Sequence, residues 1–167
     1  ELQGRNIVIS SGALAALPEE IAHRLMSAWT AWQGQSIYPP RRAALAQALA
    51  QAFAGHDSTL NGCALLSHKG RVIVAREAAA VAGLVAVGKH WDGLMLVGDG
   101  PPDVEIRALG AEGLAAVKDW RAQGLPRAAL LATPALWQGA RLFAAPSLGF
   151  GDGFKLNFKV PTPYLSD

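Results

Sequence analysis

The hydrophobic period of this chain changes from helical to extended near residue 55, and this change limits the folds open to it. Apolar residues recur at helical spacing over residues 17–34 and 38–53, where Pro, Glu and Gly mark helix ends. The runs 59–67 and 71–76 are extended instead and flank a tight-turn signal, so they predict a β-hairpin. Helices followed by antiparallel strands favour an α+β fold.

The predicted helix over residues 17–34 should bury one stripe of apolar side chains against the rest of the fold. Ile21, Leu25, Trp29 and Trp32 follow one another at helical spacing and form this predicted stripe. Before it, residues 6–9 predict a short strand, and the serines that follow cap a helix start. The first third of the chain is therefore expected to be mainly helical.

The second half predicts a mostly antiparallel arrangement with one longer helix. Residues 112–123 predict that helix, with Leu114, Val117 and Trp120 on one face. Strands are expected around it at four places: residues 94–97, 104–109, 136–145 as a hairpin, and 154–160. Because residues 78–88 suit a helix, a strand or a linker, a domain boundary is placed there. We expect a helical domain with a hairpin over residues 1–80 and an α+β domain over 84–167.

Composition restricts the functional classes. With 167 residues, 51% of them apolar and 17% charged, the chain has the make-up of one folded domain or two small ones. The net charge of +2 is compatible with a polyanionic partner without requiring one. A single cysteine, Cys63, excludes an internal disulfide framework and favours the reducing cytoplasm. No apolar run approaches the roughly 20 residues that a bilayer needs, so no membrane partner is expected.

The sequence offers no convincing catalytic or metal-binding pattern. His56, His68 and His90 match no compact ligand spacing, and Cys63 lies within a predicted strand. The glycine-rich stretch 149–153 lacks a lysine and precedes a strand-like segment, unlike a phosphate loop. Residues 7–13 have the strand–Ser–Gly–helix order of an ATP-pyrophosphatase loop, but alanines fill its later positions. We interpret this segment as a helix cap, and we expect no catalytic residue, metal or cofactor in this chain.

Two arginines open the predicted helix over residues 38–53, and their position is unusual. Arg41 and Arg42 occupy its first turn, where the helix dipole disfavours cations by about 0.3–1 kcal/mol. A bound phosphate would stabilise both arginines at this position, since the free helix amides and the two guanidinium groups would bind the same anion. Tyr38 is placed to stack on a sugar or base. The alternative is a proline-initiated helix whose arginine side chains are simply solvated.

Further cations lie in both halves. Arg71 and Arg76 are five residues apart, so strand alternation sends them to opposite faces and only one can join Lys69. Lys118 and Arg121 are neighbours if their helix forms, and Lys155 and Lys159 would share one strand face. The candidate RNA-binding residues are therefore Tyr38, Arg41, Arg42, Lys69, Arg71, Arg76, Lys118 and Arg121.

Several segments, taken in order, resemble one family of enzymes. They are Tyr38-Pro39-Pro40-Arg41-Arg42, Thr59-Leu60-Asn61-Gly62-Cys63, Val74-Ala75-Arg76-Glu77, Trp91-Asp92-Gly93, Pro134-Ala135-Leu136-Trp137-Gln138-Gly139 and Leu142-Phe143-Ala144-Ala145-Pro146-Ser147-Leu148-Gly149. Together they resemble the C-terminal half of bacterial tRNA(Ile)-lysidine synthetases of the alphaproteobacterial form. The resemblance covers nearly the whole chain.

The resemblance implies a function for the parent enzyme and a smaller role for this chain. Such an enzyme uses ATP, with Mg²⁺, to adenylate the wobble cytidine of an isoleucine tRNA with a CAU anticodon, and lysine then attacks the activated base. Those cofactors belong to an N-terminal catalytic domain that this chain lacks. Residues 14–77 resemble the helical substrate-recognition domain. The remainder resembles a sandwich-like α+β domain shared with the phenylalanyl-tRNA synthetase β subunit.

Three functions follow as alternatives. The first is a tRNA-recognition part without chemistry of its own, which contacts tRNA phosphates and works with the missing catalytic domain. The second is a protein-interaction module, including a possible homodimer, that uses exposed apolar edges. The third, an independent small enzyme, lacks paired carboxylates, a nucleophile or metal ligands at a convincing spacing.

Overall fold

The computed structural model describes residues 1–87, 89–97, 101, 103–151 and 153–157. Helices and antiparallel sheets alternate along it, which confirms the predicted α+β class. The chain divides into two compact units, the first made from Glu1–Glu77 and the second beginning at Ala78. In the described part, no helix combines the length and apolar character needed to cross a membrane.

The first unit is a five-stranded antiparallel sheet with helices packed on it. Its strands follow the order β1-β2-β5-β4-β3. The elements are β1 (Leu2–Gln3), β2 (Asn6–Ser10), α1 (Ser11–Ala15), α2 (Glu19–Gln33), α3 (Arg42–Phe53), β3 (Ser58–Leu60), β4 (Cys63–His68) and β5 (Arg71–Arg76). The sheet is therefore wider than the predicted hairpin, because β2 pairs with the far side of β5 and β3 pairs with β4.

The β4–β5 hairpin is confirmed, and its turn explains why it was visible in the sequence. Lys69 and Gly70 both adopt positive φ, at 50° and 71°, as a two-residue hairpin turn requires. The run 59–67 does not form one strand, because Asn61 and Gly62 also have positive φ and divide it into β3 and β4. This second turn lies at the opposite end of β4 from Lys69.

The buried face of α2 differs from the predicted stripe. The residues that it buries are Met26, Thr30 and Gln33, whereas Trp29 and Trp32 are only partly buried beside them. Two of the three buried side chains are polar, so apolar periodicity could not identify this face. Thr30 is satisfied locally, because its hydroxyl donates to the Met26 carbonyl at 2.7 Å.

The described residues of the second unit form two small antiparallel sheets, with strand orders β11-β10-β9-β6 and β12-β8-β7. Its strands are β6 (Val85–Val87), β7 (His90–Trp91), β8 (Leu94–Val97), β9 (Glu105–Ala108), β10 (Pro134–Gln138), β11 (Arg141–Ala144) and β12 (Lys155–Asn157). Its α-helices are α4 (Gly110–Ala116) and α5 (Arg127–Leu131). The predicted strand over 94–97, the strand within 104–109 and the hairpin within 136–145 are confirmed.

The predicted helix over residues 112–123 is wrong. α4 ends at Ala116, because Val117 leaves the helical region with φ −97° and ψ 100° and buries its side chain. A separate 3-10 turn, Trp120–Gln123, follows and ends at Gly124 in the left-handed conformation. The predicted turn residues 98–100 and 102, and Lys159, lie outside the described residues.

Candidate nucleic-acid interface

Arg42 is the first residue of α3, and its guanidinium is already paired. It donates to the Glu20 carboxylate at 3.0 Å and to that of Glu19 at 3.5 Å, both in the first turn of α2. These carboxylates supply the compensation that a cation at a helix N-terminus needs. The phosphate inferred for Arg42 from the sequence is therefore not required to explain its position.

Glu20 is the centre of this charge cluster. It also accepts from Arg24 at 2.9 Å, one turn further along α2. Hydrogen bonds from Arg24, and next from Arg42, hold the pKa of Glu20 below its usual range. The bond with Glu20 in turn raises the pKa of Arg42. All these groups are solvent-exposed, so the pairs contribute little to stability but neutralise charge locally.

Arg41 differs from its neighbour. It is the N-cap residue of α3, with φ −61° and ψ 138°, and its side chain is exposed. Among the described residues its guanidinium has no hydrogen-bonded or ion-paired partner. Arg41 therefore presents a full positive charge beside the unbonded amides of the first turn of α3, which is the geometry that an anion favours.

The loop that precedes Arg41 exposes two large apolar side chains. Ile37 is 91% exposed and Tyr38 is 78% exposed. The backbone beneath them is held firmly: the Tyr38 carbonyl accepts from Ser36 Oγ at 2.8 Å and from Asn61 Nδ2 at 3.2 Å. Sequence reasoning identified Tyr38 but missed Ile37, whose exposure could not be read from a single apolar residue between helices.

Arg76 is placed inside the fold. It is only 8% exposed, and its Nη1 donates to the Gly34 carbonyl at 2.9 Å and to the Gly62 carbonyl at 2.8 Å. The guanidinium thus joins the C-terminal end of α2, where the helix dipole favours a cation, to the turn between β3 and β4. Arg76 supports the loop that carries Tyr38, and its charge faces protein carbonyls.

Lys69 and Arg71 lie at the other end of the hairpin. The β4–β5 register runs from Cys63 opposite Arg76 to His68 opposite Arg71. Five strand steps separate the two ends, which is about 17 Å. Lys69 is exposed at the turn and Arg71 is half-buried. The first unit therefore carries two separate cationic points, Arg41 beside Tyr38 and Lys69 at the hairpin turn.

The cations predicted in the second unit do not share a helical face, because their helix does not form. Lys118 lies in the segment after α4, and Arg121 lies in the 3-10 turn with its guanidinium 4.5 Å from the Trp120 ring centre. Arg107 covers the Trp137 ring at 3.9 Å and donates to the Gly139 carbonyl. In the described part of this unit, these contacts with aromatic rings hold the guanidinium groups of Arg107 and Arg121 in place locally.

The segment that resembles a nucleotide loop is a helix cap. Ser10 Oγ accepts from the Ala13 amide at 3.4 Å, and the short helix α1 follows. This confirms the helix-cap interpretation of residues 7–13. Across the described residues, no three His, Cys, Asp or Glu side chains are grouped so that they could hold a metal ion.

The fold and surface define a class: a chain of two α+β units whose first unit exposes separate cations and an aromatic loop. Comparison with known proteins gives a relative. The chain is 42% identical over 155 residues to the tRNA(Ile)-lysidine synthase of Ruegeria pomeroyi. The match covers 92% of this chain but only 37% of that relative, in its C-terminal part, so the resemblance inferred from the motifs is confirmed. No family model matches the chain.

Proposed function

We propose that this chain is the tRNA-binding C-terminal part of a tRNA(Ile)-lysidine synthetase. The similarity to one such enzyme supports the assignment, and the observation that carries the binding role is exposed, unneutralised Arg41 at the N-terminus of α3. In this proposal the ATP- and Mg²⁺-dependent chemistry occurs in a catalytic part of the parent enzyme. The present chain holds the isoleucine tRNA so that the catalytic part can modify its wobble cytidine.

The proposed contact is with the sugar-phosphate backbone. Arg41 and the free amides of α3 bind one phosphate, and Lys69, at the far end of the hairpin, binds another. Two separate cationic points orient a helical RNA without reading its base edges. Arg71, Lys118 and Arg121 remain candidates for further phosphate contacts, whereas Arg42 and Arg76 act mainly within the protein.

Binding through so few cations is weak and depends steeply on salt, because each neutralised phosphate releases counterions. A low affinity for tRNA is sufficient when the binding part is joined to a catalytic part. Once one part holds the tRNA, the covalent linkage keeps the other part close to it, at an effective concentration in the millimolar range. The chain thus positions the tRNA and lengthens the time for which it stays bound to the enzyme.

Arg41→Ala tests the proposed phosphate contact. We expect tRNA affinity at low salt to fall roughly threefold to tenfold, and the slope of log affinity against log salt to decrease by about one. Mobility-shift titrations at four salt concentrations measure both quantities. Arg42→Ala is the matched control: because Glu19 and Glu20 already neutralise Arg42, its effect should be smaller. Equal losses in both variants, or an unchanged slope in Arg41→Ala, contradict the assignment.

Glu20→Gln tests the neutralisation of Arg42 by removing one of its acidic partners and leaving the arginine in place. Removal of the carboxylate that binds both Arg24 and Arg42 leaves Glu19 to face two arginines. The helix end thus gains one net positive charge, so tRNA affinity and the salt slope should rise. Glu112→Gln is the control, since it changes net charge equally but lies in the second unit on α4. If the two variants raise affinity by the same factor, only total charge matters and the proposed local site is wrong.

A further inference from the structure

The loop between α2 and α3 exposes apolar surface that folding normally hides. Ile37 and Tyr38 are 91% and 78% exposed, whereas the other large apolar side chains of the described part reach at most 48%. Two adjacent side chains this exposed increase the apolar area in contact with water, which is unfavourable. Such an arrangement indicates a contact that these side chains make when a ligand is bound.

The loop backbone is built to hold this position. The Ser36 amide donates to the Ala31 carbonyl at 2.9 Å, and Gln35 Nε2 donates to the Trp32 carbonyl at 2.8 Å. Asn61, from the turn between β3 and β4, donates to the Tyr38 carbonyl. Pro39 and Pro40 then restrict φ up to the start of α3. The tyrosine ring is consequently displayed on a preformed support, which lowers the entropic cost of binding.

The size of the exposed surface indicates what it can bind. A stable protein interface buries about 800 Å² on each partner, far more than two side chains provide. One aromatic ring with an adjacent aliphatic side chain matches the face of one nucleobase. Arg41 follows Tyr38 by three residues and is exposed, so a phosphate next to such a base has a cation within reach.

We propose that Tyr38 stacks on one unpaired nucleobase of the RNA, with Ile37 packing against the same base and Arg41 binding an adjacent phosphate. This inference rests on the proposed function and extends it from phosphate contact to recognition of an unpaired nucleotide. A base inside a duplex is covered on both faces, so only a loop, a bulge or a single-stranded end offers the required face. The site therefore distinguishes single-stranded elements from stems, without preference for one base type.

The test compares the binding of two RNAs to the 167-residue chain. One is a stem-loop with 2-aminopurine in its loop, and the other is a blunt duplex of the same stem. We expect the chain to prefer the stem-loop roughly tenfold, with quenching of 2-aminopurine fluorescence, since stacking on an aromatic side chain stabilises a bound base. Tyr38→Ala should remove the preference and the quenching, while Tyr38→Trp retains both. Phe53→Ala, which removes a 46% exposed ring at the end of α3, is the control and should change neither.

The outcomes separate this inference from the proposed function. Salt-dependent binding of both RNAs with no stem-loop preference overturns the stacking inference and leaves the phosphate contact in place. A chain that binds neither RNA overturns both. If Tyr38→Ala leaves RNA binding unchanged but weakens association with the catalytic part of the enzyme, the loop is a protein contact and the inference is wrong.

Discussion

Replacing Gly34 by alanine should lower the free energy of unfolding by about 3 kcal/mol. Gly34 ends α2 with φ −77° and ψ −5°, a conformation that alanine adopts freely, so the cost does not come from the backbone angles. It comes from crowding: a methyl group here would overlap the Asn61 carbonyl oxygen and lie 2.9 Å from the Thr30 carbonyl oxygen. Both obstacles are backbone atoms, which cannot rotate away as a side chain can.

Urea denaturation followed by circular dichroism measures this effect. Gly12→Ala is the matched control, because Gly12 lies in α1 with only Ser10 Oγ near its added methyl group, at 3.8 Å. That change should be neutral or stabilise the protein by up to about 1 kcal/mol, since alanine has the higher helix propensity. If Gly34→Ala is as stable as the original chain, the close approach of α2 to the β3–β4 turn is wrong.

The elements that could be predicted from the sequence are those whose cause is local. The β4–β5 hairpin depends on Lys69 and Gly70, two neighbouring residues that adopt the turn conformation themselves. The ends of α2 are likewise set by adjacent residues, with Pro18 at the N-cap and Gly34 at the C-cap. Periodicity and turn chemistry are sufficient where the interacting residues are close in the chain.

The buried face of α2 could not be predicted, because its partners lie far away in the sequence. Gln33 is buried in a polar network. With its side-chain amide oriented to satisfy both neighbours, the amide nitrogen donates to the Arg5 carbonyl at 3.2 Å and the amide oxygen accepts from the Arg76 backbone amide at 2.8 Å. Arg5 in turn donates to the Gln33 carbonyl. A glutamine in a helical pattern is normally assigned to the solvent side. Only the three-dimensional arrangement shows that it is satisfied by Arg5, in the turn before β2, and by Arg76, at the end of β5.

In the candidate site, too, local features could be predicted from the sequence, whereas contacts between distant residues could not. The sequence marked the cations at the start of α3 as needing compensation, but it could not show that Glu19 and Glu20, more than twenty residues earlier, neutralise Arg42 and not Arg41. Strand alternation separated Arg71 from Arg76 without showing which one is buried. The choice between an exposed and an internal cation depends on tertiary neighbours, and this choice decides which residues can reach RNA.

Arg76→Met should also be strongly destabilising, by about 3 kcal/mol. Methionine preserves much of the aliphatic packing but removes the charged donor that binds the Gly34 and Gly62 carbonyls. A buried carbonyl that loses its partner keeps its desolvation cost, and hydrogen bonds from a charged donor contribute more than neutral ones. The loss should loosen the attachment of α2 to the β3–β4 turn, and with it the support beneath Tyr38.

Thermal and urea denaturation measure the loss, with Arg41→Met as the matched control. Arg41 is exposed on the same unit, so the same exchange of side chains there should change stability by less than about 0.5 kcal/mol. RNA titrations on the folded protein complete the comparison: Arg76→Met should keep the original salt slope, whereas Arg41→Met should reduce it. A stable Arg76→Met variant with a reduced slope contradicts the internal role and makes Arg76 a phosphate ligand, because only a charge facing the RNA changes counterion release.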